Sequence, residues 1–115
     1  MNHTKLEVYK RSRQLIVSAY PLIDSLPKSE EFQLKSQMKR SLISVPSNIA
    51  EGAARGSVKE MIRFLNIAIG SMKEFETQLL ISRDLKFLND IEMILAEVDI
   101  ICKMLYKLKI SLKNK

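Results

Sequence analysis

The run Val45-Pro46-Ser47-Asn48-Ile49-Ala50-Glu51-Gly52, followed by Arg55-Gly56-Ser57, lies between two helical rhythms and gives the chain a place to turn back. Before it, Met38, Leu42, Val45 and Ile49 recur at spacings of four and three, which puts one apolar stripe on one helical face. After it the rhythm returns with Met61, Phe64/Leu65, Ala68, Met72, Phe75 and Leu79. Gly52 and Gly56 can supply the positive φ that ends a helix, and Ser57-x-x-Glu60 is a capping box that starts one. The spacing therefore predicts an αα-hairpin.

The remaining chain repeats the pattern. Thr4-x-x-Glu7 reads as a capping box before Leu6, Tyr9, Ile16, Tyr20 and Ile23, so a first helix is expected over about residues 5–26, kinked or cut short near Val17 to Tyr20 by Pro21. Arg13 falls on that same stripe and must either reach the rim along its stem or meet a carboxylate. Ser29 with Glu30 and Glu31 predicts the start of a second helix over about residues 30–54, carrying Phe32 on its apolar face. Pro46 removes a donor from the Leu42 carbonyl; Ser44 or Ser47 could compensate, and the expected result is a kink, with recognition as the alternative. A third helix is expected over about residues 58–87. A fourth is expected over 90–112 behind the box Asn89-x-x-Glu92, with Ile91, Val98, Cys102, Leu105 and Leu112 on its apolar face. Helix formers dominate a chain of 115 residues with three glycines and three prolines. The fold class is all-α, an up-down-up-down four-helix bundle in a single domain. Apolar residues on the fourth helix, with Ile62, Ile69 and Leu80 on the third, exceed what one bundle can cover and point to a homo-oligomer.

Two polar rows accompany these stripes. Gln37, Ser41, Ser44, Asn48, Glu51 and Arg55 suit a close helix contact, inside the bundle or between subunits. Lys59, Arg63, Asn66, Gly70 and Lys73 line one edge of the third helix. Counting outward from the Gly56 turn places Glu51 level with Arg63, Asn48 with Asn66 and Arg40 near Glu74 as cross-helix pairs. Pro46, Asn48, Glu51, Gly52, Gly70 and Glu74 are thus candidates for structural or interface roles.

Chemistry finds little to work with. His3 is the one histidine, which leaves no triad, imidazole shuttle or histidine-based metal site. Cys102, alone on an apolar stripe, excludes an internal disulfide and is expected to be an inert core thiol. Six methionines at helical positions are expected as core filler. The carboxylates lack the Glu-x-x-His pairs of bundle metal sites, and there is no Walker loop, so no cofactor, no metal and no enzymatic activity are expected. No run is long and apolar enough for a membrane span and no signal core is seen, so a cytoplasmic location is expected.

The formal net charge is +6, and Lys103, Lys107, Lys109, Lys113 and Lys115 close the chain without an acid. Such a balance favours polyanions, although a basic helix end also complements the helix dipole. The candidate nucleic-acid contacts are Lys39, Arg40, Arg55, Lys59, Arg63, Lys73, Lys103, Lys107 and Lys109. Tyr9, Tyr20 and Tyr106 could stack on bases where exposed. The alternative is an adaptor for protein contacts whose charge serves solubility.

Ser36-Gln37-Met38-Lys39-Arg40-Ser41, the run from Val45 to Gly52, Arg55-Gly56-Ser57, Arg63-Phe64-Leu65, and Gly70-Ser71-x-x-Glu74-x-Glu76-Thr77-Gln78-Leu79 together resemble one family. It is that of the four-helix bundle proteins encoded by intervening sequences within bacterial 23S ribosomal RNA genes. The resemblance covers about half the chain in motifs, with Pro21 and Ala53-Ala54 as departures. It implies a bundle that assembles as a ring, a pentamer, and kinship with the basic accessory protein of diversity-generating retroelements, which binds a reverse transcriptase and nucleic acid. RNA and a nucleic-acid-processing protein are therefore the implied partners besides the chain itself.

Overall fold

The computed structural model describes residues 1–114. Four α-helices follow one another: α1 (Glu7–Asp24), α2 (Leu34–Ala54), α3 (Val58–Asp84) and α4 (Glu92–Lys113). Each packs antiparallel to the next in a bundle 46 Å long and 24 by 19 Å across. The core is one continuous cluster in which Met38, Leu42, Ile49, Leu65, Met72, Phe75, Leu79, Ile101 and Leu105 are fully enclosed. Burial of each such side chain contributes about 1.5–3 kcal/mol, enough for this interior to fix the arrangement.

The α2–α3 turn forms as the sequence dictates. Gly56 takes a φ of +75°, the left-handed value that glycine adopts without strain, and the Ser57 hydroxyl accepts from the Glu60 amide at 3.1 Å. Gly52 does not share that role. It lies inside α2, and a Cβ there would stand 2.8 Å from the Cβ of Phe64 and 2.9 Å from the sulfur of Met61. Glycine at this position lets α2 and α3 approach.

The other three expected caps are not formed. Asn2, not Thr4, caps a short 3-10 turn (His3–Lys5), and α1 starts two residues later than expected with Leu6 as its cap. Lys28–Glu30 is a second 3-10 turn, so α2 begins at Leu34 rather than residue 30 and leaves Phe32 in the loop, 90% exposed. Ile91 caps α4, and Glu92 pairs across the turn with Arg83 at 2.7 Å instead of serving Asn89. In each case a competing local turn or ion pair takes the group that the box would use.

Both helical prolines are accommodated. A kink or an early end was expected at Pro21, and the early end does not occur, since α1 continues to Asp24; Pro21 is exposed and Val17 largely so, so water can reach the carbonyl left without a donor. Pro46 is buried within an uninterrupted α2, and neither Ser44 nor Ser47 bonds the Leu42 carbonyl, because the Ser44 hydroxyl is engaged elsewhere. The buried face of α1 is Val8, Ser12, Leu15, Ala19 and Ile23, with Tyr9, Ile16 and Tyr20 on its flank. Arg13 reaches the exposed rim and lies over the Tyr9 ring, 5.6 Å from its centroid.

On α3, Ile62 and Leu80 are partly covered and Ile69 is buried, so these three are not the surplus they were expected to be. The exposed large apolar side chains of these two helices are Val58, Ile67 and Ile81 on α3 and Met93, Ile100, Tyr106 and Ile110 on α4. Met38, Met61 and Met72 fill the core as expected and Met104 packs against it, but Met1 and Met93 stand 58% and 86% exposed. No described helix is long and apolar enough to cross a membrane.

Candidate nucleic-acid interface

The middle of the polar row of α2, from Ser41 to Asn48, lies against α3, whereas Gln37, Glu51 and Arg55 at its two ends are exposed. The Ser44 and Ser71 hydroxyls are 2.8 Å apart, the Ser41 hydroxyl donates to Glu74 at 3.1 Å, and the Asn48 amide donates to the carbonyl and hydroxyl of Ser44. Small side chains here let two backbones approach, and each buried hydroxyl finds a partner. The register differs by one residue from the count about the turn, since Ser41 rather than Arg40 meets Glu74. One residue is a rotation of about 100° on a helix, so the expected cross-helix pairs do not form. Arg55 instead holds Glu51 at 2.7 Å within its own chain segment, and Arg63 holds Glu60 through two bonds of 2.9 and 3.2 Å. Both guanidinium groups also flank the Phe64 ring, at 5.2 and 4.4 Å. The hydrogen bond from Arg63 is the main reason the Glu60 carboxyl sits below its ordinary pKa.

A second register fixes the basic edge. Arg83 meets Glu92 near the α3–α4 turn, and Lys109 donates to the Asn66 side-chain oxygen at 3.1 Å farther along, with the same offset between the helices. Lys73 is therefore level with Cys102, Gly70 with Leu105 beside Tyr106, and Arg63 with Leu112. Lys59, Arg63, Asn66, Gly70 and Lys73 are all exposed along α3, and α4 lays Tyr106, Lys109 and Lys113 next to them. The Lys109 ammonium also lies 5.0 Å from the centroid of the Tyr106 ring, which is 43% exposed. Sequence reasoning treated these two rows separately; only the helix register joins them. Lys115 lies outside the described residues.

The cations of this edge differ in how far they are neutralised. Arg63 is paired with Glu60, Lys103 with Asp99 at 2.9 Å, and Lys73 loosely with Glu76 at 3.7 Å. Lys59, Lys107 and Lys113 have no acid within 4 Å among the described residues, and Lys109 is spent on a neutral amide. Lys39 and Arg40 stand apart, on the opposite half of the bundle. Lys39 donates to Asp24 at 2.7 Å and lies over the Tyr20 ring, while Arg40 is exposed and unpaired among the described residues.

This contrast extends to the whole molecule. One end is where Met1, Gly52, Gly56, Met61 and Leu112 surround a small hollow of about 190 Å³. The half nearest it, residues 1–14, 45–70 and 103–114, holds eleven lysines and arginines against three acids. The other half, residues 15–44 and 71–102, holds seven against ten. The net charge is a property of one end.

Of the structural candidates, Gly52, Asn48, Glu51 and Glu74 find roles within the chain, as described, and Pro46 is a buried part of α2. Gly70 does not: a Cβ there would meet no atom within 4 Å. Cys102 is buried, and burial pushes its thiol pKa up, which keeps it protonated and unreactive. No group of three or more His, Cys, Asp or Glu side chains gathers among the described residues. Lys35 is an unforeseen feature, a buried lysine whose ammonium meets Glu31 at 3.3 Å; it precedes Met38 by three residues and Leu42 by seven, and that spacing was readable.

Among curated proteins none matches the chain. Among solved structures, a protein of unknown function from the S23 ribosomal protein family of Bacteroides thetaiotaomicron is similar, with 27% identity and a TM-score of 0.81 over 89% of this chain and 97% of that one. The family model described as 23S rRNA-intervening sequence protein matches residues 4–107. With that match covering the first three helices and most of the fourth, the chain belongs to the family of 23S rRNA-intervening sequence proteins.

Proposed function

We propose that this protein is a non-enzymatic, self-associating bundle that binds RNA through its basic end. The observation that carries the reading is the segregation of charge, with Lys59, Arg63, Lys109 and Lys113 gathered along one edge where few acids compete. Phosphates held by such an edge release counterions, so affinity is set by charge count more than by sequence. Exposed Met93, Ile100 and Ile110 on α4 support self-association, in the pentameric ring that the resemblance implies.

Titration of a labelled structured RNA at several salt concentrations, with assembly mass followed by light scattering, tests both parts. The logarithm of affinity should fall with the logarithm of salt by about 0.7–0.9 per phosphate contacted. Charge reversal at Lys107, Lys109 and Lys113 should weaken binding, whereas reversal at Arg40 and Lys86 should leave it. Binding that is absent or indifferent to salt, by an assembly that stays intact, would favour an adaptor for protein contacts instead. That second reading rests on the same exposed α4 residues.

A further inference from the structure

Gly70 lies in mid-helix on the exposed face of α3, where glycine weakens a helix relative to alanine. Nothing within the chain explains its presence, because a side chain there would point into open space. This is the reverse of Gly52, whose missing side chain admits Phe64. A glycine that no internal contact requires has a physical use where something from outside comes close to the backbone. The surroundings identify the chemistry of that visitor. Asn66 and Lys73 lie one turn to either side on α3, and Tyr106 is level with Gly70 on α4, with Lys109 tied to Asn66 and poised over the tyrosine ring. Cations, an amide and an exposed aromatic ring suit a phosphate and a base, and exposed Ile67 on α3 with Ile100, Met104 and Ile110 around Tyr106 add apolar surface against which a base can lie.

We infer that Gly70 marks the crossing point of a single-stranded nucleic acid, its backbone passing over the glycine between Lys73 and Lys109 and one base stacking on Tyr106. The inference rests on the RNA-binding reading and deepens it by choosing single strands over duplex. Stacking needs a base face that a duplex keeps hidden, and the small notch left by one glycine fits one strand. In this arrangement Lys109 holds the tyrosine in place through Asn66, so the site is assembled before the strand arrives.

The test uses the whole protein with a labelled single-stranded RNA of about 15 nucleotides and a duplex of the same length. Tyr106→Ala and Gly70→Leu should each weaken single-strand binding about tenfold and change duplex binding less than about twofold, while Tyr106→Phe retains affinity. Gly70→Ala should raise the melting temperature while lowering single-strand affinity, a pair of effects that loss of folding cannot produce. If the unaltered protein binds neither RNA, the RNA reading and this site fall together. If it binds but these variants bind equally well, the site alone falls. A change of assembly mass in Gly70→Leu without RNA would instead assign the notch to a contact between copies, and would likewise overturn the proposal.

Discussion

The seam between α2 and α3 and the seam between α1 and α4 are closed by different means. Along the first, glycine and small hydroxyl residues bring the backbones together, and Ser41, Ser44 and Ser71 bond at the contact itself. Along the second, Arg11 reaches Glu97 through bonds of 2.7 and 3.3 Å beside a groove of about 440 Å³ bordered by Gln14, Ser18, Met93 and Ile94. Close packing tolerates no change of volume, whereas a bridge of long charged side chains adapts. The hairpin of α2 and α3 is thus the rigid unit, and α1 and α4 meet across a softer boundary.

That comparison breaks most readily at Gly52. Gly52→Val should destabilise the protein by about 1–3 kcal/mol in urea denaturation, because the Phe64 Cβ is fixed to the backbone and cannot move aside. An unchanged midpoint would show that the first seam is not tight. Ser71→Ala should cost about 1 kcal/mol by leaving the Ser44 hydroxyl with one partner fewer, and a double-mutant cycle with Ser44→Ala should recover much of it. Arg11→Gln across the second seam should lower the melting temperature by less, and the difference should vanish in concentrated salt.

The smallest expected effect concerns the α1–α2 contact. The hydrogen bond from Lys39 holds the Asp24 carboxyl below its ordinary pKa. Its contribution is present above the unfolded value of about 3.9 and is lost as pH falls through the lower folded value. Acid titration of Asp24→Asn beside the unaltered protein should therefore show two stabilities that differ at neutral pH and converge as the pH falls below the ordinary carboxylate range.

What the sequence made legible was local or periodic. Gly56 and Ser57-x-x-Glu60 could be read because a left-handed glycine followed by a hydroxyl cap depends on neighbouring atoms alone. Thr4 and Asn89 had the same lettering and Ser29 was a plain hydroxyl cap before two acids, yet each faced a rival nearby: Asn2, Arg83, and the turn after Pro27. The α1 stripe was placed toward its flank because Ser12 and Ala19, small members of the true core face, carry little apolar signal. The cross-helix pairs failed by a single residue of register. For the same reason the basic edge could be named cation by cation but not assembled, since the meetings of Arg83 with Glu92 and of Lys109 with Asn66 are what show how α4 adjoins α3.

The uneven distribution of charge along a rod of 46 Å has a consequence for motion as well as for contact. In the field of a polyanion such a body feels a torque before it feels a touch, and it turns its positive pole forward once within about a Debye length. Encounters would then begin pre-aligned, and dilute buffer would speed arrival far more than it slows departure.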